Sequence, residues 1–155
     1  MTSTSTVAEL AEGSVADRAF ADTSGLLALA HTKDQYHREA ATTARRFLGS
    51  GGRFLSTPLV LAELHGLLLY RRGPDIARRV VTALRSDAGY EWVTVDPKLV
   101  DAAVSGWLER FVDQTFTLCD AVSFEVMRRA KLTAAFAYDR HFETAGFDRL
   151  GGTGR

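Results

Sequence analysis

The sequence predicts an α/β fold, a three-layer α/β/α sandwich with a mostly parallel central sheet. Three observations carry that expectation. Short apolar, strand-like segments alternate with helical ones along the whole chain. The first and the last long strand-like segments each run out at an aspartate, Asp22 and Asp139, and in parallel sheets sites form outside the carboxyl ends of the strands. Between them lies TPLVLAELHGLLLY, Thr57 to Tyr70, which is apolar on nearly every face and reads as a helix sunk in a large core.

Taken in order, residues 1–14 are small and polar and are expected to be flexible. Val15 to Ala21 leads into a short strand that ends at Asp22. Thr23-Ser24-Gly25 turns the chain, and a helix starts over Leu26 to Ala30. Tyr36 to Leu48 is a second helix, stopped by Gly49, Gly51 and Gly52. Arg53 to Ser56 is a strand. Thr57 is the N-cap of the apolar helix, with Pro58 as its first residue. Gly73-Pro74 breaks the chain before a helix over Asp75 to Leu84. Glu91 to Val95 is a strand, and Asp96-Pro97 caps a helix with Leu99, Ala103, Trp107 and Leu108 on its apolar side. Leu118 to Lys131 is helical, Thr133 to Tyr138 is a strand, and a helical turn and a small strand near Phe147 close the domain. The domain therefore spans residues 17–150, between an N-terminal extension (1–16) and a flexible tail (151–155).

The 155 residues are 46% hydrophobic and 25% charged, which suits one domain with a sizeable core. The formal net charge is zero, so composition gives no support for a polyanion partner. The arginine pairs 45–46, 71–72, 78–79 and 128–129 read as solvated helix surface. Cys119 is the one cysteine, so no intrachain disulfide forms and a reducing compartment fits. With no membrane-length apolar run and no signal peptide, the expectation is a cytoplasmic protein away from membranes.

Four acids stand out: Asp22, Glu63, Asp120 and Asp139. Each aspartate has a structural account as well. Asp22 and Asp139 fit helix N-caps, and Thr117-Leu-Cys-Asp120 fits a capping box. Glu63 sits in mid-helix, on a face with Leu59, Val60, Leu67 and Tyr70, so it is expected to be buried and to need a partner. An arginine or a cation would serve. Carboxylates gathered at strand ends repel one another and suit a hard cation such as Mg²⁺ or Mn²⁺. The histidines (31, 37, 65 and 141) lack zinc-type spacing and read as surface or ordinary helix residues. No phosphate loop, dinucleotide-binding fingerprint or nucleophile elbow occurs.

FADTSGLLAL, TPLVLAELHGLL and TLCDAVSFEVMRRAKLTAAFAYDRHFETAGF resemble, in this order, blocks of the PIN-domain proteins. The likeness is greatest to ribonuclease toxins of the VapC type, from bacterial toxin–antitoxin pairs. It covers about residues 18–150, and its most specific part is D-R-H-F-x-x-A-G-F at 139–147. The stretch ahead of the first strand departs from such toxins, which begin almost at that strand. The resemblance implies a metal-dependent endoribonuclease toxin acting on RNA. It implies Asp22, Glu63, Asp120 and Asp139 as the acidic quartet around Mg²⁺ (or Mn²⁺). Asp22 and Asp120 would be the ligands, with Glu63 and Asp139 joining directly or through water. Thr23, Ser24 and Ser123 match supporting polar positions. It further implies a homodimer and a cognate antitoxin of the VapB type. Two other readings compete: a PIN-like RNA-binding or interaction module that no longer cuts, and a haloacid dehalogenase-type phosphohydrolase. The second needs an aspartate two residues after Asp22, where Ser24 stands.

Overall fold

The structure is a computed structural model that describes residues 4–8 and 17–151. Six strands form one parallel sheet: β1 (Thr4–Ser5), β2 (Arg18–Ala21), β3 (Arg53–Ser56), β4 (Tyr90–Val93), β5 (Ala134–Phe136) and β6 (Asp148–Arg149). Their spatial order is β1-β4-β3-β2-β5-β6. From β2 the chain steps outward through β3 to β4, then crosses back to lay β5 on the other side of β2. The order reverses at β2, so the crevice outside the carboxyl ends of β2 and β5 is the switch point where an open parallel sheet builds its site. Asp22 and Asp139 stand there.

The helices are α1 (Thr23–Ala30), α2 (His37–Gly49), α3 (Pro58–Arg72), α4 (Pro74–Ser86), α5 (Pro97–Ala103), α6 (Leu118–Arg129) and the short α7 (His141–Thr144). A π-helical segment, Val104–Glu109, extends α5. The strands pair in parallel through helical crossovers, which the fold of β2, α1–α2, β3, α3–α4 and β4 repeats. Phe20, Phe54, Phe124, Phe136 and Phe142 fill the core. Phe54 stacks on Phe136 and meets Phe47 and Tyr90 with tilted rings.

Local signals explain the helix starts. Thr57 Oγ1 accepts from the Val60 amide and Asp96 from the Leu99 amide, each with proline following. Thr23-Ser24-Gly25 does not turn the chain as expected. Asp22 is the N-cap, so these residues are the first turn of α1. Gly25 is required there, because a Cβ would lie 2.1 Å from the Phe136 carbonyl oxygen of β5. That close approach is what sets α1 against β5 and brings the two aspartate-bearing ends together. Gly25→Ala must push helix and strand apart. It is expected to cost about 3 kcal/mol, a melting temperature roughly 6–12 °C lower, read by thermal denaturation. An unchanged melt would mean that the two elements are not held this tightly.

The N-terminal expectation is corrected in part. Thr4 and Ser5 do not hang free but pair with Trp92 and Val93 as an edge strand, and Val7 is buried. A two-residue strand of small polar residues has no hydrophobic period to announce it. The rest of the 1–16 stretch, and residues 152–155 of the tail, lie outside the described residues.

The expected burial of Glu63 is also corrected. Val60, Leu64 and Leu68 are the buried face of α3, while Glu63 is exposed and Tyr70 is 92% exposed. Among the described residues the chain does bury two other glutamates, each against arginines. Glu91 takes Arg53 at 3.0 Å and Arg18 at 4.0 Å, tying the starts of β2, β3 and β4 together. Glu125 takes Arg128 and Arg129.

Candidate active site

Asp22 enters the crevice as the N-cap of α1, at the end of β2. Its Oδ2 accepts from the Ser24 amide (3.1 Å) and from Ser24 Oγ (2.7 Å). The same Oγ accepts from the amides of Tyr138 (2.9 Å) and Asp139 (3.3 Å). One hydroxyl thus locks the end of β5 to the Asp22 carboxylate. Asp22 is almost fully buried. Burial raises its pKa to about 7. Hydrogen bonds from Ser24 and the Thr23 amide pull it down and the charge of Asp120 pushes it up. Ser24 is thus the residue that holds the Asp22 carboxylate in place.

Asp120 lies in the first turn of α6 and is the acid of a capping box. The capping box is present: Thr117 Oγ1 accepts from the Asp120 amide, and Asp120 Oδ2 accepts from the Thr117 amide, both at 3.0 Å. That carboxylate is also buried beside Asp22 and carries further contacts. His141 Nδ1 lies 2.8 Å from the same Oδ2, while Asp120 Oδ1 carries no protein hydrogen bond. Asp139 is half-exposed, and its Oδ1 accepts from the His141 amide at 2.9 Å and lies 3.5 Å from Nδ1.

His141 is the residue that sequence reasoning missed. The sequence reads it as a surface or ordinary helix residue, but its ring nitrogen lies between two of the acids. Potential ligand atoms of Asp120, Asp139 and His141 all lie within 4.8 Å of one another. Only a protonated Nδ1 can donate to a carboxylate, which fixes the tautomer, and Nε2 lies 3.2 Å from Thr115 Oγ1. Phe116 backs the ring edge-on. Its only signal in the sequence is its place two residues after Asp139. The other histidines are ordinary: His31 Nδ1 lies by Arg72, and His37 Nδ1 by the Ala28 carbonyl.

Glu63 joins through its field rather than through a hydrogen bond. Burial, then the charges of Glu63, Asp22 and Asp120, drive the Cys119 thiol well above its usual pKa. Glu63, exposed on α3, is thus within electrostatic reach of Cys119, as are Asp22 and Asp120. Ser123 is fully buried and donates to the Cys119 carbonyl (2.7 Å), so its hydroxyl serves the backbone of α6. Thr23 is buried in the crevice and its Oγ1 has no hydrogen-bond partner.

A PIN-domain family model matches residues 19–148. The chain is a PIN-domain protein of the VapC type. The 23S rRNA-specific endonuclease VapC20 of Mycobacterium tuberculosis (strains CDC 1551 / Oshkosh and ATCC 25618 / H37Rv) is 33% identical over 135 residues. The alignment covers 83% of this chain and 94% of that protein. The crystal structure of M. tuberculosis VapC20, described as a sarcin–ricin loop cleaving toxin, superposes with a TM-score of 0.71 at 32% identity. It covers 83% of this chain and 95% of the other. The PIN model begins within β2 and ends at the start of β6, so the whole crevice lies inside the matched region.

The residues of this PIN domain suit a divalent cation. The donors are carboxylates, as a hard ion requires. Asp22 is held protonated up to about pH 7, so its ionised form lacks the positive charge that would stabilise it beside Asp120. The buried, unpartnered Thr23 Oγ1 adds an oxygen donor to the same crevice.

Proposed function

We propose that this VapC-type chain is a metal-dependent endoribonuclease, the toxin of a type II toxin–antitoxin pair, hydrolysing phosphodiester bonds in RNA. The observation that carries the reading is the gathering of Asp120, Asp139 and His141 within ligand distance of one another at the sheet's switch point, with Asp22 buried beside Asp120 and disfavoured as an anion until a cation joins it. A catalytically inert binding module has no use for that arrangement.

Asp22 and Asp120 would hold Mg²⁺ (or Mn²⁺), with Asp139 and Glu63 able to join directly or through water. The ion supplies charge neutralisation at the scissile phosphate and a more acidic bound water. Ser24 Oγ fixes the Asp22 carboxylate, and the Thr117 amide and His141 Nδ1–H fix that of Asp120. Pre-set carboxylates avoid reorganisation at the moment of reaction. Asp139 and Glu63 keep contact with solvent and are the groups able to take a proton from water. A base on a half-exposed carboxylate needs no desolvation to act.

The similarity to VapC20 makes 23S rRNA the first substrate to test. A cognate VapB-type antitoxin would cover the acidic crevice. Leu69 and Tyr70 of α3, both exposed, offer apolar surface for a homodimer. No helix among the described residues is long and apolar enough to cross a membrane, and a ribosomal substrate would put the toxin in the cytoplasm. Induced expression is expected to arrest growth and to leave one new 5′ end in 23S rRNA, both relieved by the antitoxin. Normal growth with soluble protein and intact rRNA would count for the inert module.

A further inference from the structure

Away from the acidic crevice, a cavity of about 610 Å³ opens between the π-helical segment and the C-terminal half of α6. Its size lies within the range of ligand sites. Its walls hold Trp107, Arg110, Phe111, Glu125, Arg128 and Arg129. Glu125 is buried and accepts from Trp107 Nε1 (3.3 Å), Arg128 Nε (3.0 Å) and Nη2 (2.8 Å), and Arg129 Nε (2.8 Å). Burial alone would raise its pKa, but these bonds and the charge of Arg128 outweigh it and hold the carboxyl down at about 2. Glu125 therefore stays ionised and pins two guanidinium groups.

One carboxylate against three arginines leaves the cavity with a net charge of about +2 in a chain whose total is zero. Arg128 still has Nη1, and Arg129 both Nη groups, unused by Glu125. The Arg110 guanidinium lies over the Phe111 ring, 5.4 Å from its centre. The expected solvated arginine surface is thus, at 128–129, an organised cationic wall. The π-helical segment contributes by carrying Trp107 across to Glu125; such segments are rare and concentrate at functional sites. Gly106 leaves the wall open, since a Cβ there would meet nothing within 4 Å.

We propose that this cavity is a second RNA contact, a phosphodiester-binding subsite that takes the strand leaving the acidic crevice. The proposal rests on the endoribonuclease reading. Asp120 and the Arg128–Arg129 pair are eight and nine residues apart on one helix, so at 1.5 Å per residue the two sites are offset by roughly 12–14 Å along its axis. A strand bound at the crevice reaches that far in a few nucleotides. Planar guanidinium forks match phosphate oxygens, and the neighbouring indole offers a flat apolar face for a base. An acidic crevice cannot hold a polyanion by charge, so backbone affinity has to come from a positive site outside it.

The test is 23S rRNA binding in rising KCl by the full chain carrying Asp22→Asn, which prevents cutting during the titration. Arg110→Ala and Gly106→Glu are compared with Arg85→Ala, which removes the same charge from the exposed end of α4. Arg110→Ala is expected to weaken binding ~3–10-fold and to reduce the salt slope by about 0.7. Gly106→Glu places a like charge in the opening and is expected to weaken binding ~10-fold without lowering the melting temperature, since glycine is the poorer helix former. Arg85→Ala should stay within about twofold. Parental affinity and slope in both cavity variants would overturn the proposal while leaving the nuclease reading intact. Weakened antitoxin binding with unchanged RNA binding would reassign the cavity to a protein partner and equally overturn it. If the wild type neither binds nor cuts rRNA, both readings fall together.

Discussion

Asp22→Asn is expected to lower RNA cleavage by roughly 10³-fold while the protein stays folded. The two outcomes separate because the two roles of Asp22 make different demands. As N-cap it needs only an oxygen that accepts from the Ser24 amide, and asparagine caps as well as aspartate does. As a cation ligand it needs the negative charge, which asparagine lacks. Asp120→Asn should lose activity by a similar factor, but with some stability, because its charge also holds His141. Cleavage of labelled rRNA and a circular dichroism melt read both effects. Cleavage by Asp22→Asn within a fewfold of wild type would remove Asp22 from the chemistry.

The second large effect is on stability, and it runs opposite to activity. The folded-state pKa of Asp22, about 7, lies above its ordinary value of 3.8. Between these values the native state binds more protons than the unfolded chain, so stability falls as pH rises. The contribution is fully present below about pH 4 and is lost as pH climbs through 7. The full shift corresponds to about 4 kcal/mol, or roughly 8–16 °C in melting temperature for a domain of this size. Without metal, wild type should therefore melt lower at pH 8 than at pH 5, and Asp22→Asn should flatten that dependence and melt higher at pH 8. Mg²⁺ or Mn²⁺ at ~100 times its dissociation constant should return about 2.7 kcal/mol to wild type at neutral pH. Glu125 works in the other direction, being held at about 2, so its contribution is lost only under strong acid and leaves the pH 5–8 window to Asp22. A metal-free melt that ignores pH between 5 and 8 would contradict the desolvation of Asp22.

The parts of the fold that were legible in the sequence are those where one local signal had one structural meaning. Thr57-Pro58 and Asp96-Pro97 start helices because the cap and the proline agree. Asp22 and Asp139 were visible because an apolar strand runs out at an acid. Asp120 carries two readings in the sequence; the structure shows the capping box, and the same carboxylate lies near enough to Asp22 to act on it electrostatically. Glu63 was misplaced for a different reason. A helix apolar on several faces does not say which of them its own domain covers, and here Leu59, Glu63, Leu67 and Tyr70 lie on the less covered side. The Glu125–Arg128 and Glu125–Arg129 pairs have ordinary i,i+3 and i,i+4 helix spacing, but the His141–Asp120 and Trp107–Glu125 contacts join residues distant in sequence. No spacing rule reports those.

If the acidic crevice cuts RNA with the help of a divalent ion, removing the ion must stop the cut. Purified full-length protein incubated with 23S rRNA in millimolar Mg²⁺, in EDTA, and in EDTA followed by excess Mn²⁺ tests it most directly, with 5′ ends mapped in each arm. A discrete cut is expected with Mg²⁺, none in EDTA, recovery with Mn²⁺, and no detectable cut by Asp22→Asn in any arm. An equal cut in EDTA, or one that Asp22→Asn also makes, would contradict it.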